Sequence, residues 1–434
     1  MDPEQLERVN QAFLAFHAEF APQLGRKQWR QRTLDYLRGL LVQGEERRNA
    51  ENVSEAVAAS ARSLQRVLTD ARWDDEAVTA QLQTYLAPRL NHPLSVWAVD
   101  ESGVVKQGKK SAGVSRQYCG AVGKVANCQI GVFLAHVGPN GRALVDKRLW
   151  LPKEWTDDPD RCAAAGVPEE AQAYQSKPEL ALSLLRRAKA LGQLVADWVT
   201  GDDAYGASPD FRDGVSAEGY LFMLEVPSNT PVWPVATAWD FPPYSGFGRP
   251  KKARPTPGQR KEARERAATL SPGSWQTVTV AEGAQGPRTY RFAAERVRDS
   301  RDGEPGAVVW LVHRQNLDAT EPRTYFSDAP EETPLATLAR VAAARWPIET
   351  ELETNKSDVG LDEYEVRSWP GWNHHVTLCL LASAFLLTLQ QEWGEKDAAA
   401  HAAPGLPGGT RGLAAAALLP RATAGVVAGH PTAQ

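Results

Sequence analysis

The sequence has few sulfur-containing residues, with four cysteines and two methionines in 434 residues. No two cysteines are spaced as Cys-x-x-Cys, so the sequence indicates neither a zinc site nor a framework of disulfide bonds. The cysteines are typical of free thiols in a reducing compartment. No run reaches the roughly 18 apolar residues of a membrane span, and the polar N-terminus has no apolar core of a signal peptide. We therefore expect a soluble, cytoplasmic protein.

An excess of positive charge is also missing, because 49 Lys and Arg against 53 Asp and Glu give a net charge of −4. Dedicated nucleic-acid-binding proteins are usually basic overall, so any DNA contact must depend on local clusters. A loop at 103–117 and a run at 249–266 are locally basic. Each could contact phosphates or be only a solvated loop. We favour DNA contact for the loop at 103–117, because it follows the predicted strand that carries Asp100. For the run at 249–266 we favour a partly disordered segment that becomes ordered on DNA.

The apolar pattern predicts several kinds of secondary structure along the chain. Helical spacing predicts helices over residues 1 to about 90. Three short β-branched runs then begin at Leu94, followed by a predicted helix at 179–191 and another apolar run that ends near Gly201. Alternating segments between 226 and 330 predict a small sheet, and a helical pattern resumes at Pro334. The predicted fold class is α/β (α+β), and a βββαβ order is how an RNase H-like fold begins, although other folds share it.

Three acidic residues stand where phosphodiester chemistry would need them. Asp100 is predicted to close a strand, Asp202 to close a second strand, and Glu349 to lie in a downstream helix. Two divalent cations beside a scissile phosphate require oxygen ligands from a few converging carboxylates. An acidic residue at such a position is more often a turn residue, so position alone does not assign this chemistry.

The charges around Glu349 add a second pattern. Arg345, Glu349, Glu353 and Lys356 are spaced i, i+4, i+8 and i+11, which is one face of a helix. Arg345 and Lys356 could hold phosphate oxygens while Glu349 binds metal. A solvated face with ion pairs between neighbouring turns explains the same spacing equally well.

The spacing of Arg345, Glu349 and Lys356 resembles the Arg-x₃-Glu-x₆-Lys signature of bacterial insertion-sequence DDE transposases with a β-strand insertion. Three further segments are similar to one subgroup of that family: VDESGVVKQGKKSAGVSRQYCGAVGKVANCQIGV, WVTGDDAYG and GLDEYEVRSWPGWNHHVTLCLLASAFL. The resemblance covers roughly residues 30–390. The chain departs from it at Ala342, where the signature often has Tyr, and at Glu101, where relatives often have Asp.

The resemblance implies an RNase H-like catalytic core in which Asp100, Asp202 and Glu349 are the catalytic residues and the metal ligands. Asp203 is the close competitor of Asp202. The implied cofactor is Mg²⁺, two ions per active site, with Mn²⁺ as a substitute. The DNA-binding residues expected from the basic segments and the signature are Arg345, Lys356, Lys106, Lys109, Lys110, Arg116, Lys251 and Lys252.

The implied function is DNA cut-and-paste transposition by phosphodiester hydrolysis and strand transfer. The expected partners are double-stranded DNA, as transposon inverted-repeat ends and target, and a second copy of the chain in a homodimer on DNA. The protein would then act on the bacterial nucleoid. Two alternatives remain: a domesticated DNA-binding protein without catalysis, and an RNase H-like endonuclease without strand transfer.

Five segments follow from the patterns and the resemblance together. They are a helical N-terminal DNA-binding domain (1–92), the first part of the RNase H-like core (93–225), a β-rich insertion (226–332), the C-terminal helices of the core (333–395), and a flexible Ala/Gly/Pro-rich tail (396–434).

Overall fold

The computed structural model describes residues 3–42, 44, 46–241, 252–283, 286–393 and 409–419. Contacts divide the chain into two compact units. The first contains Met1–Leu82, Ala165–Val167 and Thr354–Gln434, and the second contains Gln83–Ala164 and Pro168–Glu353. This division departs from the five expected segments, because the residues from Thr354 onward group with the N-terminal helices.

The chain begins with helices, continues with a strand-rich middle region and ends with helices. The helices are α1 Pro3–Phe20, α2 Lys27–Val42, α3 Ala50–Ala56, α4 Ala61–Thr69, α5 Asp75–Leu90, α6 Lys153–Thr156, α7 Pro159–Ala164, α8 Lys177–Leu191, α9 Asp203–Gly206, α10 Pro209–Ala217, α11 Ala263–Thr269, α12 Leu335–Ala343, α13 Trp346–Val359, α14 Trp369–Trp393 and α15 Gly409–Leu418. The strands are β1 Val96–Val105, β2 Ser115–Cys119, β3 Lys124–Gly138, β4 Gly141–Leu149, β5 Trp198–Gly201, β6 Leu221–Val226, β7 Pro231–Pro234, β8 Trp239–Asp240, β9 Arg254–Pro255, β10 Lys261–Glu262, β11 Gln276–Gly283, β12 Gly286–Arg301, β13 Glu304–Gln315 and β14 Arg323–Ser327.

The first unit is built around α14. The rings of Phe13 and Phe16 pack against Phe385, with centroids 5.2 Å and 5.4 Å apart. The Nε2 of His375 lies 3.0 Å from the carbonyl oxygen of Gly360, which can only accept, so Nδ1 accepts from the Tyr36 hydroxyl at 2.9 Å. Among the described residues, α14 is apolar and long enough to cross a membrane by length and composition, but 89% of its most apolar stretch is buried inside the protein. It is therefore accounted for as a core helix.

The C-terminal tail is described only in part. Its residues 409–418 form α15, and Leu413, Ala414 and Leu418 are buried. This helix departs from the expectation of a flexible tail, because its apolar residues pack into the first unit. The rest of the predicted tail, apart from Leu419, lies outside the described residues.

The second unit is built on one sheet, whose central strands have the RNase H-like order. β4, β3 and β1 are antiparallel neighbours, and β5 and β6 follow in the sheet parallel to β1. Helix α8 forms the crossover between β4 and β5, beginning with a capping box at Ser176 and Glu179 and ending at Gly192 in the left-handed conformation. The predicted fold class is confirmed, and β1, β3, β4, α8 and β5 follow the predicted βββαβ order, but the sequence prediction did not separate the short strand β2 from β3 and did not include α6 and α7.

The inserted strands do not form the separate small sheet that the sequence predicts. β14 pairs with β6, so the sheet continues outward in the order β6-β14-β13-β12-β7-β10. A short ribbon of β8 and β9 stands apart. This pairing covers the edge of β6, whose unpaired backbone groups would otherwise be exposed. Helix α12 packs on both parts, since Leu338 shares one buried cluster with Val96, Met223 and Tyr325.

A buried ion pair connects α10 with the inserted strands. Arg212 donates to Asp299 on β12 at 2.8 Å, and the two side chains are 4% and 0% exposed. Arg212 also donates to the carbonyl oxygen of Gly206, which ends α9. A buried pair of this kind contributes mainly because removing one partner leaves an uncompensated charge in the interior.

We predict that Asp299→Asn lowers the free energy of unfolding by about 3 kcal/mol, because it leaves Arg212 buried without a counter-charge. Urea unfolding monitored by circular dichroism measures this loss. The matched control is Asp70→Asn, which removes an ion pair with Arg66 in which the side chains are 57% and 50% exposed. Solvent screens that pair, so the control should lose clearly less than Asp299→Asn. Equal losses in the two variants would contradict the prediction.

Candidate active site

Asp100 lies in the middle of β1 and is 8% exposed. The sequence prediction that it closes a strand is wrong, because β3 provides backbone partners along β1 as far as Val105. The parallel neighbour β5 is shorter and ends at Gly201, opposite Val99. Asp100 therefore lies where one of its two neighbouring strands has just ended.

Asp202 directly follows β5 and begins the short helix α9. Its Oδ1 accepts a hydrogen bond from the backbone N–H of Ala204 at 3.0 Å. Because Val99 and Gly201 are in register, Asp100 and Asp202 follow as neighbours on strands that lie roughly 4.8 Å apart. The adjacent Asp203 is exposed, whereas Asp202 is half-buried. Burial and register thus both favour Asp202 over Asp203 as the partner of Asp100.

Glu349 lies in the first turn of α13, and Arg345 stands just before that helix. Pro347, at the second helical position, begins the helix rather than kinking it. The Nη2 of Arg345 lies 2.5 Å from Oε1 of Glu349, and its Nε lies 3.0 Å from Oε2 of Glu225 on β6. Arg345 is 11% exposed and is therefore held between two carboxylates.

The site carries excess negative charge. Burial, followed by the charge of Asp202, raises the pKa of Asp100 to about 7, although the Glu101 N–H and Arg345 partly oppose this. Burial and the charge of Glu101 raise the pKa of Asp202 to about 6. Both carboxylates would therefore be stabilised in their ionised form by a cation.

The donor set is suited to a hard divalent cation, since it consists of carboxylate oxygens. Two buried polar atoms near the aspartates, Oε2 of Glu101 and the hydroxyl of Tyr205, have no hydrogen-bond partner in the described part of the chain. Within that same part, no three acidic, histidine or cysteine side chains are already close enough to hold one metal ion. Glu349 does not complete such a group, because its carboxylate is paired with Arg345. The two aspartates thus fit a divalent cation, whereas Glu349 is bound to Arg345 in this structure and would have to leave it to join them.

Sequence reasoning missed three of the residues that surround these carboxylates. Lys177, at the start of α8, pairs with Glu101 at 2.6 Å. Glu225 is 6% exposed in the apolar strand β6, and Tyr205 is fully buried beside the aspartates. A single carboxylate within LFMLEV was a usable signal for Glu225, because a buried charge requires a partner. Lys177 gave no signal beyond the start of a helix.

The predicted DNA-binding residues are distributed over both units. Lys109, Lys110 and Arg116 are exposed after β1 and form no ion pair with any described residue, while Lys106 is half-buried there. Lys252 is exposed, and Lys251 lies outside the described residues. Lys356 belongs to the first unit. The later part of the basic run forms β9, β10 and α11, where Arg264 pairs with Glu262 and Arg266 with Glu295.

Comparisons with known proteins agree with the resemblance. A family model described as DDE superfamily endonuclease matches residues 19–287, a stretch that contains Asp100, Asp202 and Glu225 and ends before Glu349. A probable transposase for insertion sequence element IS701 of Microchaete diplosiphon is 28% identical over 146 residues. That alignment spans 33% of this chain and only 35% of the relative. The solved structure of the piggyBac transposase synaptic complex with hairpin DNA is similar at a TM-score of 0.40 and 10% identity, covering 95% of this chain and 76% of that one.

We predict that Asp100 makes a contribution to the stability of the metal-free protein that becomes less favourable as the pH rises from about 4 to about 7. The pKa of Asp100 is raised from 3.8 to about 7 on folding. The folded state therefore keeps a proton in this window that the unfolded chain has already released, and the free energy of unfolding falls as the pH rises. Asp100→Asn lacks this penalty, so its stability relative to the unaltered protein should increase towards neutral pH.

Urea unfolding in EDTA at about pH 4.5 and about pH 7.5 measures the difference, and the gap between the two proteins should widen by roughly 1 kcal/mol or more. Asp203→Asn is the control, because this neighbouring carboxylate is exposed, and it should follow the unaltered protein. A constant gap for Asp100→Asn across the two pH values would contradict the prediction.

Proposed function

Because the chain belongs to the DDE superfamily endonucleases, we propose that it is a DNA transposase that cuts transposon ends and joins them to target DNA. The observation that supports this best is the placement of Asp100 on β1 and of Asp202 directly after the parallel strand β5, each one residue beyond the register pair Val99 and Gly201, with Glu349 linked through Arg345 to the same sheet. The similarity to the probable transposase for insertion sequence element IS701 supports the same function.

Members of this superfamily generally use divalent metal ions. We propose that Asp100, Asp202 and Glu349 are the ligands, that the ions are two Mg²⁺ and that Mn²⁺ substitutes for them. When bound, two such ions supply activation of water or of a DNA 3′-hydroxyl and stabilisation of the leaving oxygen. The protein's own part is to fix Asp100 on β1 and Asp202 between β5 and α9, and to present Glu349 from the first turn of α13.

The substrate is proposed to be double-stranded DNA. β1 and β5 are parallel, so the chain leaves both strands at the same edge of the sheet. Lys109 and Lys110 follow β1 at this edge, Arg116 lies on the next strand, β2, and Asp202 follows β5. Phosphates bound by the three cations would therefore lie towards the carboxylates. Lys106, Lys252 and Lys356 are proposed as further contacts, and Lys251 remains a prediction from sequence. The helical first unit would recognise transposon ends. We also propose a homodimer on DNA, because two ends must be joined, and action at the nucleoid in the cytoplasm.

Two other functions remain to be separated from this one. A domesticated DNA-binding protein would have no use for Asp100 and Asp202 at this place, where burial raises the pKa of both and so disfavours their ionised forms. A nuclease of the same fold would cut without strand transfer. Incubation of the protein with labelled element ends, target DNA and Mg²⁺ distinguishes the three, because only the transposase both cuts and joins.

We predict that Asp202→Asn and Glu349→Gln each abolish cleavage of labelled ends, by at least about 100-fold, while leaving affinity for the same DNA within a few-fold. The physical reason is that each change removes a charged metal ligand without altering side-chain shape. Asp203→Asn is the matched control, one residue from Asp202 but exposed, and should retain cleavage. Full cleavage by Glu349→Gln, or loss in Asp203→Asn instead of Asp202→Asn, would overturn the assignment.

We predict that the combined change Lys109→Ala, Lys110→Ala and Arg116→Ala weakens DNA binding and its dependence on salt. Each phosphate contact contributes roughly 0.9 to the slope of log affinity against log salt, so losing these contacts should reduce the slope by about 2 to 3. Fluorescence anisotropy at several salt concentrations measures it. Arg186→Ala removes an exposed α8 cation that already pairs with Glu218, and should leave the slope unchanged. An unchanged slope in the triple variant would exclude the loop from the DNA interface.

A further inference from the structure

Glu225 is a buried carboxylate beside the proposed ligands that the mechanism above does not use. Each of its oxygens is bound by a different arginine. Oε1 accepts from Nη1 of Arg323 at 2.9 Å, and Oε2 pairs with Nε of Arg345 at 3.0 Å. Arg323 is half-exposed at 49%, whereas Arg345 is 11% exposed. The pair with Arg345 is therefore the one that solvent screens less.

The backbone of Glu225 is held in place from two sides. On one side β14 pairs with β6, with Tyr325 in register with Glu225, whereas the pairing of β5 with β6 ends one residue earlier, at Leu224. The turn of α9 approaches so closely that a side chain at Gly206 would place its Cβ 1.8 Å from the carbonyl oxygen of Glu225. Only glycine is accommodated there. Glu225 is thus a fixed anchor for Arg345, while Glu349 stands in the first turn of a helix.

Arg345 consequently has two carboxylate partners, one fixed and one that the proposed function requires elsewhere. If Glu349 were its only partner, moving that carboxylate to a metal ion would leave a buried guanidinium without a counter-charge. Breaking a buried pair in this way is strongly destabilising, because the remaining charge is left without a counter-charge. With Glu225 in place, Arg345 remains paired when Glu349 leaves, and most of that cost is avoided.

We propose that Glu225 is a positioning residue that makes Glu349 available to the divalent metal ion by keeping Arg345 neutralised. This inference rests on the proposed function, since it assumes that Glu349 is a metal ligand. It assigns no metal contact to Glu225 itself. Glu225 acts through Arg345. Its loss should therefore raise the metal concentration that the protein needs for half-maximal metal binding and cleavage.

The test is Glu225→Gln, which keeps the shape and removes the charge. Binding of Mn²⁺ to the full chain without DNA, measured by electron paramagnetic resonance of the free ion, should weaken by roughly tenfold or more. Cleavage should need correspondingly more Mg²⁺ and should return to within a few-fold of the unaltered protein at saturating Mg²⁺. Because bound metal also stabilises a weakened fold, circular dichroism of the metal-free variant should show the same folded spectrum as the unaltered protein.

Glu295→Gln is the matched control. Glu295 is 14% exposed and is also bound by an arginine, Arg266, but it lies on β12 away from Glu349. Its removal costs a comparable ion pair, so it should leave Mn²⁺ affinity unchanged. If Glu295→Gln weakens Mn²⁺ binding as much as Glu225→Gln does, loss of any such ion pair explains the effect and the inference is wrong.

A second pair of variants tests the route through Arg345 even if Glu225→Gln alone folds poorly. Without Arg345 there is no buried cation to neutralise, so Arg345→Gln and the double change with Glu225→Gln should bind Mn²⁺ equally well. A further loss in the double variant would mean that Glu225 acts on the metal directly, which contradicts the proposal.

The outcomes also separate this inference from the proposed function. If the unaltered protein binds no Mn²⁺, or if Asp100→Asn binds it as well as the unaltered protein does, the proposed metal site fails. If the unaltered protein binds Mn²⁺, Asp100→Asn does not, and Glu225→Gln matches the unaltered protein, then only the role of Glu225 is overturned.

Discussion

Burial of two neighbouring carboxylates, fully at Asp100 and in part at Asp202, is the constraint on which the rest of the site depends. The parallel register of β1 and β5 places these carboxylates side by side at a point where burial disfavours their ionised forms. Such a pair is stable only with protons, a neighbouring cation or a metal ion to offset it. Arg345 supplies part of that offset, since its charge lowers the pKa of both aspartates against the effect of burial. The placement of Arg345 is thus as consequential as that of the carboxylates.

The inserted strands take part in that placement. Because β14 pairs with β6, the strand that carries Glu225 is an interior strand of a continuous sheet rather than an edge. Arg323 on β14 binds Glu225, and Asp299 on β12 binds Arg212, which in turn holds the end of α9. Ion pairs therefore run from the inserted strands to β6, which is the neighbour of β5 in the sheet, and to α10, which holds the end of α9. An insertion attached only through flexible linkers could not constrain the site in this way.

The sequence was sufficient where the signal is local and insufficient where the meaning of a residue depends on a distant partner. Asp202 follows a short apolar run, and Arg345 and Glu349 are one helical turn apart, so both features could be predicted. The length of β1 was underestimated because Glu-Ser-Gly resembles a turn, whereas β3 supplies hydrogen-bond partners through it. Glu225 was missed because a single Glu in an apolar strand acquires its role only from Arg345, far along the chain. The pairing of β14 with β6 was also missed, because these two strands are far apart in the sequence.

The sequence interpretation of Arg345 as a phosphate contact and its observed ion pairs are compatible. A guanidinium has five N–H donors, and the contacts with Glu225 and Glu349 involve Nε and Nη2, leaving the Nη1 donors outside those two ion pairs. Once Glu349 turned to a metal ion, Nη2 would be released as well, on a side chain still held by Glu225. The planar fork suited to phosphate would then be offered beside the proposed ligands. A lysine at this position could not bridge two carboxylates and retain that directed geometry, which gives a physical reason for arginine in the signature.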